Sequence, residues 1–206
     1  MIKAIDLSHH NGKIDFGKVK GSGIDTVIIR TGYGKALSSQ TDRRFEEYYS
    51  AAKAAGMNVG AYHYSYADSI SSAQEEAAAM LEIVKGKKFE LPLFFDIEEP
   101  KHSQLDKKLC SDIVRTFCDK LEKAGYWAGV YSYDAFFGSN LTEDIVKRYT
   151  TWVARVENVK PHKCIRYDIW QYSWKGRVDG IDGNVDMDMV YKDFPQLIKA
   201  AHLNGF

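Results

Sequence analysis

Five acids stand in or beside short apolar runs. Asp6 follows Ile2-Lys3-Ala4-Ile5, Asp96 and Glu98 follow Leu93-Phe94-Phe95, and Asp186 follows Asn184-Val185, with Asp188 two residues later. If the run before Asp96 is a strand, Asp96 and Glu98 leave it on the same face. Carboxyl groups gathered from several strands over one opening have a specific use. One, kept protonated, gives a proton to a leaving oxygen, and another, ionised, stabilises or attacks an anomeric carbon, as glycoside hydrolysis requires. Crowding assists, because like charges and partial burial push the pKa values of the members apart. A single acid after a strand serves equally well as a helix cap or loop hydrogen-bonder. Recurrence of the placement is what points to chemistry.

Aromatic residues accompany these acids. Tyr62, Tyr64 and Tyr66 alternate along one apolar run, Tyr131 and Tyr133 along another, and Trp170, Tyr172 and Trp174 along a third. Period-two spacing puts each set on one face of a strand. Core filling accounts for part of them; Tyr64, Tyr66, Tyr133 and Trp174, at the run ends, suit stacking on pyranose rings. His9, His10 and His63 raise the question of a metal, but His9 and His10 point in different directions if extended, and zinc wants three or four ligands around one point. We expect no metal and no cofactor, and a hydrogen-bonding role for His63 beside the acids. Gly32-Tyr33-Gly34 is too little for a nucleotide fingerprint, and Ser132 lacks the nucleophile-elbow glycines.

These groups need elements to position them. Strand-like runs cover Ile2–Leu7, Thr26–Arg30, Asn58–Tyr64, Leu91–Glu98, Trp127–Ser132, Thr151–Arg155, Ile169–Ser173 and Val185–Met189. Helical stretches lie between the early ones, at Phe45–Ala55, Ser72–Val84, Leu109–Lys123 and Thr142–Tyr149. Alternating β and α units with apolar strands predict a parallel sheet covered by helices. Eight strands suffice for a small closed barrel, and the last three lack long helices between them, so the expected fold is an irregular α/β barrel. A doubly wound open sheet is the alternative. In the barrel, the first and eighth strands adjoin, bringing Asp6 beside Asp186, with the fourth strand facing them across the mouth.

The 206 residues fit one domain, 45% hydrophobic and 27% charged. Lys plus Arg and Asp plus Glu are 28 each, a balance that argues against nucleic acid and offers no polybasic stretch for a membrane surface. No run reaches the roughly 20 apolar residues of a membrane helix. The first residues enter directly into a strand, with no visible signal peptide. Cys110, Cys118 and Cys164 are expected to be small buried hydrophobes, consistent with synthesis in a reducing cytosol.

Taken in order, these pieces resemble the family 25 glycoside hydrolases, the Chalaropsis-type lysozymes of phage endolysins and bacterial autolysins. The resemblance covers essentially the whole chain. It runs from Ile5-Asp6-Leu7-Ser8-His9-His10-Asn11-Gly12 through Ile28-Ile29-Arg30-Thr31-Gly32-Tyr33-Gly34, Asp42, Phe45 and Ala54-Ala55-Gly56. It continues with Gly60-Ala61-Tyr62-His63-Tyr64, Asp96-Ile97-Glu98, Trp170-Gln171-Tyr172-Ser173, Gly176, Val178, Gly180-Ile181 and Val185-Asp186.

The resemblance implies a TIM-like barrel of five βα units followed by three strands with little helix, residues 1–206 forming a single catalytic domain. It implies cleavage of the β-1,4 bond between N-acetylmuramic acid and N-acetylglucosamine in bacterial peptidoglycan, by a monomer acting at the cell wall. Glu98 would be the general acid, with Asp6, Asp96 and Asp186 completing the acidic site. Tyr62, His63, Tyr64, Tyr66, Tyr131, Tyr133, Trp170, Gln171 and Asp188 would line the substrate. Asp188 departs from the family pattern, standing where many members carry Asn. Two other readings remain open here: a non-catalytic wall-binding barrel, and a hydrolase of another N-acetylated glycan such as chitin.

Overall fold

The computed structural model describes residues 1–156 and 159–206. Eight strands close into one barrel in chain order: β1 (Ile2–Leu7), β2 (Thr26–Tyr33), β3 (Asn58–Tyr64), β4 (Leu93–Asp96), β5 (Ala128–Tyr133), β6 (Thr150–Ala154), β7 (Ile169–Gly176) and β8 (Val185–Val190). The doubly wound alternative is thereby overturned. Helices α1 (Phe16–Gly21), α2 (Phe45–Ala54), α3 (Ile70–Val84), α4 (Lys107–Lys123), α5 (Asp134–Ser139) and α6 (Glu143–Arg148) follow the first five strands, and α7 (Phe194–Ala200) ends the chain. Of these, α1, α5, α6 and α7 are too short, at six or seven residues, to show a sequence period.

The sheet is mixed rather than all-parallel. Strands β1 to β7 run parallel, while β8 is antiparallel to both β7 and β1. Asp186 therefore lies near the start of β8, not at a C-terminal strand end. Reversal of the strand brings that start to the same end of the barrel as the C-termini of the others, and Asp6 pairs with Asp186 in register. The four-residue β4 stops at Asp96, so Glu98 stands on the loop beyond it.

Apolar residues form two layers. Outward-facing Val27, Ile29, Val59, Ala61 and Phe95 lie under the helices in one cluster with Ile113 and Phe117 of α4, and the Phe95 and Phe117 rings meet directly. Inward-facing Ala4, Ile28, Tyr62, Phe94, Tyr131, Trp152, Ile169 and Val190 fill the barrel, with Phe194 and Ile198 of α7 in the same cluster. Phe94 fits because its β5 neighbour is Gly129, where a Cβ would come within 2.5 Å of the Phe94 ring. The barrel interior is thus packed from its lower end to a floor of aromatic rings, and the acids sit above that floor. No helix among the described residues is long and apolar enough to cross a membrane.

Candidate active site

The mouth is built from inward positions of six strands. β1 brings Asp6, β3 Tyr62 and Tyr64, β4 Asp96 and, just beyond it, Glu98; β5 brings Tyr131 and Tyr133, β7 Gln171, and β8 Asp186 and Asp188. Burial divides the acids into two tiers. Asp6, Asp96 and Asp188 are buried, at 7%, 2% and 0% exposure, whereas Glu98 and Asp186 are partly open to solvent.

The lower tier is held by neutral donors. Gln171 Nε2 donates to Asp6 Oδ2 at 2.8 Å, and Gln171 Oε1 accepts from Tyr131 and from the Trp174 indole, both at 2.8 Å. Trp152 Nε1 donates to Asp188 Oδ1 at 2.8 Å. Shifts of register in β7 after Gln171 and Ser173 turn Trp174 to the side of Gln171. Neither Asp96 Oδ1 nor Asp188 Oδ2 has a hydrogen-bond partner. Burial, followed by the charges of Asp188 and Asp186, pushes the Asp6 carboxyl well above its ordinary range. Burial and the Glu98 charge do the same to Asp96, partly opposed by Arg30.

In the upper tier, burial raises Glu98; a hydrogen bond with Tyr133 opposes the rise, and the charges of Asp186 and Glu99 add to it. Asp186 is raised to about 6, by burial. Glu98 borders a cavity of about 530 Å³ that extends past Tyr64, Glu99 and Tyr133 to Phe136 and Asn140. Three exposed rings stand around the opening: Tyr66 at 40%, Tyr133 at 40% and Trp174 at 44%. Tyr66 leans on Tyr64 and Tyr33, and Tyr133 meets Trp174 edge-on. The Tyr66 backbone N–H donates to Glu76 of α3, which also accepts from Ser65.

Two expected residues lie elsewhere. His63 is buried on the outer face of β3, against Phe117, with hydrogen bonds to Thr31 Oγ1 and the Gly34 carbonyl. Burial lowers its pKa to about 4, so it is a neutral packing residue behind the sheet and not beside the acids. Trp170 is turned away from the barrel interior, opposite Gln171, and donates to the Arg155 carbonyl. The spacing that joined Trp170, Tyr172 and Trp174 into one set fails at the β7 irregularity.

Other residues of the mouth were not singled out from spacing. Trp152 is one, an inward indole on β6 beneath the acids. Glu99 is another, accepting from the Tyr64 hydroxyl at 2.6 Å. A third group flanks the opening: Asp42 accepts from Arg30 Nε at 2.9 Å and from the His9 backbone N–H at 3.0 Å, while Arg30 reaches His9 Nδ1 at 2.8 Å. Burial would raise Asp42, but the Arg44 and His9 N–H groups and Arg30 outweigh it and hold the carboxyl below its ordinary value. Among the described residues, no three His, Cys, Asp or Glu side chains are grouped to hold a metal ion.

An acid cluster over an aromatic floor, open to a long cavity, is a geometry for cutting a glycan. The sequence model of glycosyl hydrolases family 25 matches residues 5–181. The chain belongs to that family. The autolytic lysozyme of Clostridium acetobutylicum is 33% identical to this family 25 chain over 187 residues, 91% of the chain and 55% of that protein. The modular autolysin LytC from Streptococcus pneumoniae superposes with a TM-score of 0.80 at 30% identity, covering 91% of this chain and 46% of that one. A family 25 glycosyl hydrolase from Bacillus anthracis superposes with a TM-score of 0.83 at 21% identity, over 97% of this chain and 93% of the other, a likeness of fold. The chain thus spans about half the length of the first two relatives.

Proposed function

We propose that this family 25 chain is an N-acetylmuramidase, hydrolysing the β-1,4 bond between N-acetylmuramic acid and N-acetylglucosamine in peptidoglycan, with Glu98 as general acid. The observation that carries the assignment is the position of Glu98: of the five acids Asp6, Asp96, Glu98, Asp186 and Asp188 it alone borders the large cavity, where the neighbouring Glu99 is engaged by the Tyr64 hydroxyl. Burial and the negative charges of Asp186 and Glu99 favour its protonated form, the form that donates to a glycosidic oxygen. Asp186 is the other partly open acid. As it ionises near pH 6, its charge holds the Glu98 proton more firmly, so the pair separates into an acid and a carboxylate. The Asp186 carboxylate then stabilises positive charge at the anomeric centre. Asp6 and Asp96, buried beneath, set the field that both groups experience. Tyr66, Tyr133 and Trp174 offer faces for sugar rings on either side.

The wall substrate is supported by the relatives. The Clostridium acetobutylicum protein is an autolytic lysozyme, and the pneumococcal autolysin has been solved with a synthetic peptidoglycan ligand. The test is digestion of purified peptidoglycan, then borohydride reduction and identification of the new terminal sugar. Muramitol is the expected product. Glu98→Gln is expected to lower turnover roughly 10²–10⁴-fold, the usual contribution of a general acid, with an unchanged circular dichroism spectrum. Glucosaminitol would mean that the other bond is cut. Full lysis by Glu98→Gln would remove Glu98 from the acid role, and no new reducing end on walls of several species would favour a binding barrel.

A further inference from the structure

Beyond Tyr64 the chain leaves β3 and its ladder, so the backbone of Ser65, Tyr66 and Ala67 must find partners elsewhere. The Ser65 N–H still donates to the Asp96 carbonyl at 2.9 Å. The next two turn to side chains: Tyr66 N–H donates to Glu76 Oε1 at 2.9 Å, and Ala67 N–H to Ser65 Oγ at 2.9 Å. Ser65 Oγ in turn donates to Glu76 Oε2 at 2.7 Å. One carboxyl group on α3 thus holds three consecutive residues, directly or through the Ser65 hydroxyl. The turn after Glu98 and Glu99 takes the carbonyls: Lys101 Nζ donates to that of Tyr66 at 2.7 Å, and His102 Nε2 to that of Ala67 at 2.9 Å.

Glu76 is 1% exposed, and both donors that reach it are neutral. Burying a carboxyl group in that way costs stability that an apolar side chain of similar size would not. What the arrangement secures is the place of the segment that carries the donors. Both oxygens accept, as a carboxylate can and an amide cannot. Burial raises the Glu76 pKa, and the bonds from Ser65 and Tyr66, then the Lys101 charge, oppose the rise.

The side chain on that segment is Tyr66, whose ring stands edge-on to Tyr64 and Tyr33 at the opening. An aromatic face binds a sugar more tightly when it is already in place, because nothing is then lost in ordering it. We propose that Glu76 is a positioning residue: through Tyr66 N–H and Ser65 Oγ, its carboxylate fixes the Tyr66 ring as a binding face beside the mouth. Glu76 forms part of the wall of a cavity of about 400 Å³ beyond Tyr66, but at 1% exposure it acts through the segment and not on a sugar. Use of the ring on a glycan rests on the muramidase reading; the anchoring of the segment does not.

The experiment is a double-mutant cycle on soluble peptidoglycan fragments, with Glu76→Leu, Tyr66→Ala and the two combined. Glu76→Leu is expected to raise KM roughly tenfold, with kcat within about twofold of wild type. Glu76→Gln keeps an acceptor for the Tyr66 N–H, and its amide can donate to Ser65 Oγ, so it should recover most of the loss. In the Tyr66→Ala background the Leu substitution should add less than about twofold. The full effect there, or a loss in kcat instead of KM, overturns the role. Amide hydrogen exchange reads the anchor with no substrate. In Glu76→Leu the Tyr66 and Ala67 amides should exchange roughly tenfold faster, while those of Val59 and Ala61 on β3 keep their wild-type rates. Unchanged exchange at Tyr66 and Ala67 overturns the proposal even in an active enzyme. Faster exchange in a protein inactive on walls sustains the anchor while the muramidase reading falls. Should Glu76→Leu not fold, Ser65→Ala removes one donor to Glu76 and the acceptor of Ala67, and the same acceleration is expected at Ala67.

Discussion

At the lower end of the barrel Asp168 accepts the Thr151 backbone N–H at 3.0 Å and faces Arg166 at 3.2 Å and Lys192 at 2.7 Å. Nearby, Glu90 accepts the Val59 N–H and the Lys53 ammonium, and buried Asn204 joins the Trp127 N–H to the Phe89 and Leu91 carbonyls. At the mouth, buried acids of the same types have acids for neighbours, and Asp96 and Asp188 each keep an oxygen without a partner. Both ends take carboxyls out of water, which is costly unless each finds a donor or a counter-charge. The lower end meets that requirement and so closes the fold. The mouth leaves it unmet, and the unmet requirement shows as raised pKa values, the reserve of protons that acid catalysis draws on.

This contrast can be broken first at the lower end. Asp168→Ala removes the acceptor of the buried Thr151 N–H and its pairing with the half-exposed Arg166 and Lys192, and should destabilise the fold by about 2 kcal/mol. Urea denaturation would show it as a lower midpoint with an unchanged slope. Activity per folded molecule should stay close to wild type, because nothing in the mouth touches Asp168. A stability loss below a few tenths of a kcal/mol would mean that the lower acids do not hold the barrel together as their geometry implies.

The mouth makes the opposite prediction, through pH. A carboxyl whose folded pKa is raised binds its proton more tightly in the native state than in the unfolded chain. Stability from that source is full below the unfolded value near 4 and falls as pH rises towards the folded value. For Asp186 the window runs from about 4 to about 6, and the other mouth acids, also raised by burial, extend it upward. The loss is of order 2 kcal/mol. Below pH 4 the depressed Asp42 and Asp134 act with the reverse sign, losing their stabilisation as they are protonated. The melting temperature should therefore peak near pH 4–5 and decline towards pH 8. A melting temperature that climbs steadily from pH 5 to 8 would contradict the assignment of raised acids to this mouth.

Much of this was readable in the residues, for identifiable reasons. The β-branched and aromatic runs are fixed by burial on two faces, so strands such as Ile2–Leu7 and Asn58–Tyr64 coincide with β1 and β3. The convergence of Asp6, Asp96, Glu98 and Asp186 followed from strand count and closure. Strand direction did not, since β8 reads the same in either sense; the mouth survived only because β1 and β8 adjoin whichever way β8 runs. Period two misled where the backbone leaves regularity, and the β7 shifts separate Trp170 from Trp174. His63 was drawn to the acids by its neighbours Tyr62 and Tyr64, although the same alternation that turns those two inward turns His63 outward. Trp152 was invisible because a lone indole in an apolar strand looks like core until its N–H is seen to meet an acid.

The finest test of the contrast is Tyr133, which touches only one member of the cluster from the solvent side. Its hydroxyl hydrogen-bonds Glu98 and lowers that group's pKa, against burial and the Asp186 charge. Removing the hydroxyl in Tyr133→Phe leaves Glu98 with burial and like charges alone, making the mouth still less like the lower end. The Glu98 proton should then be held to higher pH, so the alkaline limb of kcat/KM should move up by a few tenths of a pH unit, with a drop of roughly two- to fivefold at the optimum from a net hydrogen bond worth about 1 kcal/mol. The Phe ring keeps its face for stacking, so KM should change little. A limb that moves down would mean that Tyr133 stabilises the protonated form, and the hydroxyl would then be accepting from Glu98 rather than donating to it.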